Sequence, residues 1–198
     1  MEISTVIFDF GGVLTTGSFF HLLAKNLSDK FEVNLEEIKK RLYANEKAYA
    51  RGEETTEDFW KKCFPEAEIA YKDFAGEFAL SYELNPVVLN IAGNLKKNYH
   101  TFLHTDNFEA LASEIKKDSR VTGLFENMFF SNEMGTLKEE ESSFRHVLEK
   151  IGKKGEECIF IDDKEKNLIT PAKIGIHTLL FKGPEQLLID LRKLGVKI

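Results

Sequence analysis

The sequence predicts an α/β protein with a parallel sheet and an inserted block of helices. Two observations support this class: apolar runs alternate with helical patterns from residue 84 onward, and residues 16–83 carry helical patterns alone. The chain has 198 residues, of which 42% are apolar, and this is enough for one sizeable core.

Five apolar runs, rich in β-branched and aromatic residues, are the predicted strands. They cover residues 4–8, 99–104, 127–130, 158–161 and 176–181. Predicted helices cover residues 87–97, 108–117, 140–151, 164–174 and 184–194. Such alternation is typical of a parallel sheet with right-handed crossovers.

The stretch between residues 16 and 83 is predicted to be helical throughout. Its aromatic residues recur at helical spacing, and we interpret them mainly as core residues. Thr55 and Asp58 have the spacing of a capping box, and Pro65 ends the helix that follows. We therefore predict an α/β core made of residues 1–15 and 84–198, with a helical cap at residues 16–83.

Charge and composition argue against several kinds of partner. The net charge is −6 and no basic block is present, so we expect neither nucleic acid nor a membrane as a partner. The first residues lead into a strand without a secretion-signal pattern, which favours a cytoplasmic location. Cys63 and Cys158 are far apart among apolar neighbours, as reduced packing cysteines are. We expect a monomer or a homodimer.

Polar residues with useful chemistry follow the predicted strands. Asp9, Thr105 and the pair Asp162 and Asp163 come directly after apolar runs, and Lys138 lies in the loop before a helix. Carboxyl ends of parallel strands share one edge of a sheet, so these side chains can converge there. A carboxylate can attack phosphorus, a hydroxyl and an ammonium can hold phosphoryl oxygens, and a further carboxylate can bind Mg²⁺.

Taken one at a time, these residues also have ordinary structural explanations. Lys138 alone is typical of a solvated surface lysine. Thr105 alone is typical of a turn hydroxyl, and Asp162 with Asp163 of a helix N-cap. Only their joint order along the chain favours a functional site.

In that order the chain resembles the haloacid dehalogenase-like hydrolases. Residues 9–14 (DFGGVL) resemble the first motif of this family. Thr105, Lys138 and residues 160–167 (FIDDKEKN) resemble the second, third and fourth. The resemblance covers the whole chain and is closest to the sugar-phosphate phosphatases, with residues 51–53 as another similar feature. It implies an α/β fold with a Rossmann-like, parallel five-stranded sheet, helices on both faces and an inserted α-helical cap.

The resemblance also implies a metal centre and a nucleophile. Asp9 would be both the nucleophile and a Mg²⁺ ligand, with the backbone carbonyl of Gly11 and the side chain of Asp163 as further ligands. Asp162 and Asn167 would position the ligand Asp163 without binding the metal themselves. The implied activity is Mg²⁺-dependent hydrolysis of a small phosphorylated metabolite through an aspartyl-phosphate.

Thr105 and Lys138 would hold the substrate phosphate, beside Asp106. Two departures from the family pattern stand out. Gly11 occupies the position of the usual acid–base aspartate, a role worth about 10²–10⁴-fold in rate. Asp106 stands where asparagine is common, and a carboxylate beside phosphate is unfavourable unless it turns away or meets a cation.

Alternatives to a phosphatase remain. Asp9 could instead displace halide from carbon, as in a dehalogenase, although the paired aspartates and the glycine turn favour phosphate. Gly11 and Asp106 also fit a catalytically weak ligand-binding or regulatory member of the family. We do not expect a kinase, because no glycine-rich loop precedes residues 9–11, nor a receiver domain, because Asp9 comes first and a helical cap follows.

Overall fold

The computed structural model describes residues 2–198, apart from the side chain of Ala79, and confirms the predicted fold class. Five parallel strands form one sheet in the order β3-β2-β1-β4-β5. The strands are β1 Thr5–Phe8, β2 His100–Thr105, β3 Asn127–Phe130, β4 Cys158–Asp162 and β5 His177–Leu180. The central strand β1 pairs with β2 and β4, so that Thr5 lies opposite His100 and Cys158.

Helices surround this sheet and fill the inserted segment. The first five are α1 Phe19–Phe31, α2 Leu35–Ala50, α3 Thr56–Cys63, α4 Tyr71–Leu80 and α5 Pro86–Leu95. The others are α6 Glu109–Lys117, α7 Ser119–Thr122, α8 Ser131–Met134, α9 Glu141–Ile151, α10 Glu165–Lys173 and α11 Pro184–Lys193. Among the described residues, none of these helices is long and apolar enough to cross a bilayer.

Both faces of the sheet are buried because its strands alternate between two apolar clusters. Ile7 and Phe160 pack in a cluster with residues of α9 and α10. Phe8 and Ile161 belong to the other cluster, together with residues of α5, α6 and α11. Helices therefore cover both faces, as parallel sheets require.

Helices α1–α4 occupy the predicted cap, and every described strand lies outside residues 16–83. An antiparallel bridge between Thr15 and Leu84 joins the two connecting segments. The larger apolar cluster runs without a break from the sheet into these helices. The boundaries between the predicted core and cap, after residue 15 and before residue 84, remain a prediction. Met1, which belongs to the predicted core, lies outside the described residues.

Stacked aromatic rings attach the inserted helices to the core. The ring of Phe108, just before α6, lies 4.7 Å from that of Phe20 and 5.0 Å from that of Tyr49. The Tyr49 ring stacks in turn on Phe59 at 4.5 Å. Such ring contacts stabilise the fold beyond the effect of the apolar area that they bury. They therefore fix the inserted helices against the sheet edge.

A buried histidine makes the stability of the fold depend on pH. Nε2 of His104, on β2, lies 2.8 Å from Oγ of Ser143. Burial, with a contribution from the charge of Lys138, lowers the pKa of His104 to about 3. The unfolded chain binds a proton at this residue below about pH 6.5 and the folded chain does not, so stability falls as the pH drops below about 6.5.

We expect His104→Gln to remove this part of the pH dependence. Between pH 7 and pH 5, the unfolding free energy of the wild type should fall faster than that of the variant, by up to about 1.4 kcal/mol per pH unit. Denaturant titrations at several pH values measure the difference. His21→Gln, at an exposed position on α1, serves as the matched control, and equal slopes for the wild type and His104→Gln would contradict the prediction.

Candidate active site

A buried lysine lies at the centre of the candidate site. Lys138 is only 2% exposed, so it is not the solvated surface lysine that its sequence context alone favours. Its Nζ lies 2.7 Å from Oδ1 of Asp9 and 2.6 Å from Oδ2 of Asp162. Three of the residues singled out from the sequence therefore form one ion-pair network at the carboxyl edge of the sheet.

Thr105 and Asp162 are the last residues of their strands, whereas the sequence placed them just beyond the strand ends. The pairing extends further because the N–H of Phe181 donates to the carbonyl of Asp162 at 2.9 Å. The Asp162 side chain also accepts hydrogen bonds from the Lys164 N–H at 2.8 Å and from Nδ2 of Asn167 at 3.0 Å. Both of its oxygens are in use, which suits a supporting role better than a metal ligand.

Burial and charge set the protonation states in this network. Burial disfavours the charged form of Lys138, but attraction from Asp9, Asp162 and Asp106 outweighs it and raises its pKa. Burial also disfavours the Asp162 carboxylate, but Lys138 holds its pKa below the usual range. Burial raises the pKa of Asp9 to about 7 against the attraction of Lys138. A cation beside Asp9 would favour its ionised form.

A cluster of carboxylates offers a place for a divalent cation. Asp9, Asp162 and Asp163 each present an oxygen within 4.8 Å of the others. Oδ1 of Asp163 is buried and accepts no hydrogen bond from any described residue. Oδ1 of Asp9 already accepts from the Phe10 N–H at 2.7 Å, while no donor in the described chain reaches its Oδ2. The free oxygens of Asp9 and Asp163, next to the fully paired Asp162, fit Mg²⁺, which prefers oxygen ligands.

The glycine turn leaves room for the Asp163 side chain. Gly12 has a φ of +76°, and a Cβ at this position would lie 2.3 Å from Oδ2 of Asp163. Gly11 lines the same cleft, and a Cβ there would meet no atom within 4 Å. Thus Gly12 is required for close packing against the acidic group, whereas Gly11 leaves open space.

We expect Asp163→Asn to weaken Mg²⁺ binding more than tenfold, since it removes a charged oxygen ligand. Titration calorimetry on the folded protein measures this affinity without any need for turnover. Glu165→Gln, on an exposed side chain two residues later, is the matched control. Equal Mg²⁺ affinities for Asp163→Asn and the control would exclude Asp163 as a ligand.

Asp106 is turned toward the lysine loop. Its Oδ1 accepts a hydrogen bond from the backbone N–H of Lys138 at 3.0 Å. This hydrogen bond orients one oxygen of the carboxylate toward the Lys138 backbone, while Asp106 still lines the cleft. Thr105 is only 1% exposed, and its hydroxyl makes just a long contact of 3.4 Å with the Asp106 carbonyl. The Thr105 hydroxyl is thus available to a ligand.

These residues open into one cleft of about 160 Å³ between the sheet edge and the inserted helices. Helix α2 lines it with Tyr43, Glu46, Lys47 and Ala50, which lie on one helical face. Lys47 also pairs with Glu139 of the core at 3.0 Å. The sequence alone does not distinguish this face, because a polar helical face has the same residue pattern whether it borders a cleft or bulk water.

Comparison with known proteins shows the family to which this chain belongs. A family model described as a haloacid dehalogenase-like hydrolase matches residues 3–175, and the chain therefore belongs to that family. The curated relative drimenol cyclase drtB of Aspergillus calidoustus is 26% identical over 149 residues, which are 70% of this chain and 28% of that protein. The chain thus spans less than a third of that relative.

Solved structures share the fold at low sequence identity. One is a HAD family enzyme of Bacteroides thetaiotaomicron, whose mutant was solved in complex with magnesium and inorganic phosphate. It superposes with a TM-score of 0.77 at 22% sequence identity, and the match covers 91% of this chain and 94% of that one. A predicted HAD-like family hydrolase of Porphyromonas gingivalis superposes with a TM-score of 0.78 at 21% sequence identity, and the match covers 100% of both chains. A dehalogenase superposes with a TM-score of 0.75 at 12% sequence identity, and the match covers 99% of this chain and 98% of that one.

Proposed function

We propose that this protein is a Mg²⁺-dependent phosphatase that hydrolyses a small phosphorylated metabolite, with sugar phosphates among the candidates. The main support is the buried Lys138 between Asp9 and Asp162, beside the free Oδ1 of Asp163. This arrangement combines a nucleophile, a cation for phosphoryl oxygens and an oxygen-rich metal site. The magnesium and phosphate bound by the Bacteroides enzyme of the same fold agree with it.

In the proposed reaction, a carboxylate oxygen of Asp9 attacks phosphorus and the bond to the leaving oxygen breaks. Thr105 and Lys138 hold the phosphoryl oxygens of the resulting aspartyl-phosphate. Water then attacks the same phosphorus, which releases inorganic phosphate and regenerates the Asp9 carboxylate. Mg²⁺ held by Asp9, the Gly11 carbonyl and Asp163 would offset the repulsion between the anionic nucleophile and the anionic substrate.

A dehalogenase is the second candidate, because dehalogenases are among the proteins that share the fold. Displacement of halide from carbon by Asp9 would not need the acidic group around Asp163, so the structure favours the phosphatase. A regulatory protein with little turnover is the third candidate and rests on the missing side chain at Gly11.

A substrate panel separates these three candidates. Small phosphate esters should release inorganic phosphate with Mg²⁺ and much less after its removal by a chelator, while 2-haloacids should release no halide. Halide release without Mg²⁺ would favour the dehalogenase. Mg²⁺ binding without hydrolysis of any ester would favour the regulatory protein.

A further inference from the structure

We propose that Glu46, on helix α2, is the general acid and base that the family pattern lacks at Gly11. This inference rests on the proposed phosphatase function. Glu46 lines the same cleft as Asp9, Gly11 and Asp163. It reaches that cleft from the inserted helix α2, so its carboxyl group borders the space that a bound phosphate ester would occupy.

The other carboxylates that line the cleft already have partners or roles. Asp106 accepts the Lys138 N–H, and Glu139 pairs with Lys47. Asp9 is the proposed nucleophile and Asp163 the proposed metal ligand. Glu46 is half-buried, and no described residue forms a hydrogen bond or an ion pair with its carboxyl group. Among the cleft carboxyl groups, it is thus the one with neither a hydrogen-bond or ion-pair partner among the described residues nor a role assigned above.

The surroundings of Glu46 favour the protonated form of its carboxyl group more than water does. Burial raises its pKa above the usual range, and Asp106 adds to this effect. Lys164 and Lys166 at the start of α10, together with Lys47 on α2, oppose it. A carboxyl group with a raised pKa can supply a proton in one step and accept one in the next.

The proton balance closes over the two half-reactions. Glu46 as the acid gives its proton to the leaving alkoxide while Asp9 forms the aspartyl-phosphate. The resulting Glu46 carboxylate then takes a proton from the water that attacks phosphorus, and the Asp9 carboxylate leaves. At the end of the cycle Glu46 is again protonated and no other co-reactant has been consumed.

The leaving group provides the test. We expect Glu46→Gln to lower hydrolysis of an alkyl phosphate, such as glycerol phosphate, by about 10²–10⁴-fold. The burst of nitrophenol from 4-nitrophenyl phosphate should change by less than about tenfold, because this leaving group needs little protonation. Rapid quench should show that the aspartyl-phosphate of the variant decays more slowly. The alkyl phosphatase rate of the wild type should also fall as Glu46 loses its proton with rising pH, and Glu46→Gln should lack this fall.

Two further variants complete the design. Glu36→Gln, an exposed glutamate of α2 that pairs with Lys39 at 2.8 Å, should behave as the wild type. Adding Gly11→Asp to Glu46→Gln should raise the rate of alkyl phosphate hydrolysis at least tenfold above that of Glu46→Gln alone. The side chain should fit, because a Cβ at position 11 meets no atom within 4 Å.

The outcomes separate the two proposals. If the wild type hydrolyses esters and Glu46→Gln keeps the wild-type ratio of alkyl to aryl rates, the Glu46 assignment is overturned and the phosphatase stands. If the wild type and Glu36→Gln release phosphate from no ester, both proposals fail.

Discussion

Asp9→Asn is expected to lower phosphate release by about 10⁴-fold or more, equivalent to about 5.4 kcal/mol of transition-state stabilisation. An amide is a poor nucleophile toward phosphorus and a weaker ligand for Mg²⁺ than a carboxylate. Asp162 still pairs with Lys138 in this variant, so the fold should persist. Single-turnover kinetics with a labelled phosphate ester should show no aspartyl-phosphate.

Asp29→Asn provides the same chemical change at an exposed position of α1. It should retain wild-type kinetics, which separates loss of the nucleophile from any general effect of a lost negative charge. Turnover of Asp9→Asn within tenfold of the wild type would refute a covalent mechanism at this residue.

Lys138→Met is expected to cost about 3–5 kcal/mol of folding free energy at pH 7, because it leaves Asp9 and Asp162 buried without their shared cation. Both carboxyl groups should then bind protons more tightly in the folded chain than in the unfolded one, where their pKa values are about 3.9. The contribution of these two carboxyl groups to the stability of the variant should therefore fall as the pH rises above about 4, and the stability deficit of the variant relative to the wild type should shrink toward acid.

Denaturant titrations from pH 4.5 to pH 7.5 measure this deficit. Lys25→Met, at an exposed lysine of α1, should stay within about 0.5 kcal/mol of the wild type. Adding Asp162→Asn to Lys138→Met should recover part of the lost stability, since one buried charge is removed. A deficit that is the same at all pH values would show that packing, rather than charge, explains the role of Lys138.

Much of the fold could be predicted from the chain because local patterns report local structure. The apolar runs at β1, β2 and β4 mark buried strands, and each ends at or beside a polar residue of the site. Parallel pairing then brings Asp9, Thr105 and Asp162 to one edge, whatever the details of packing. The predicted strand ends differ by a residue, because ladder hydrogen bonds at the sheet edge depend on the neighbouring strand.

Sequence alone thus determined the parallel α/β class, the inserted helices and the residues that gather at the sheet edge, since each follows from periodicity and chain order. Tertiary structure decided that Lys138 is buried between two carboxylates, that Asp106 turns to the Lys138 N–H, and that Glu46 faces the cleft. The physical reason is that burial and charge pairing depend on residues distant in sequence, here from α2, β2 and β4. The backbone likewise separates Gly12, packed against Asp163 at positive φ, from Gly11, which borders open space.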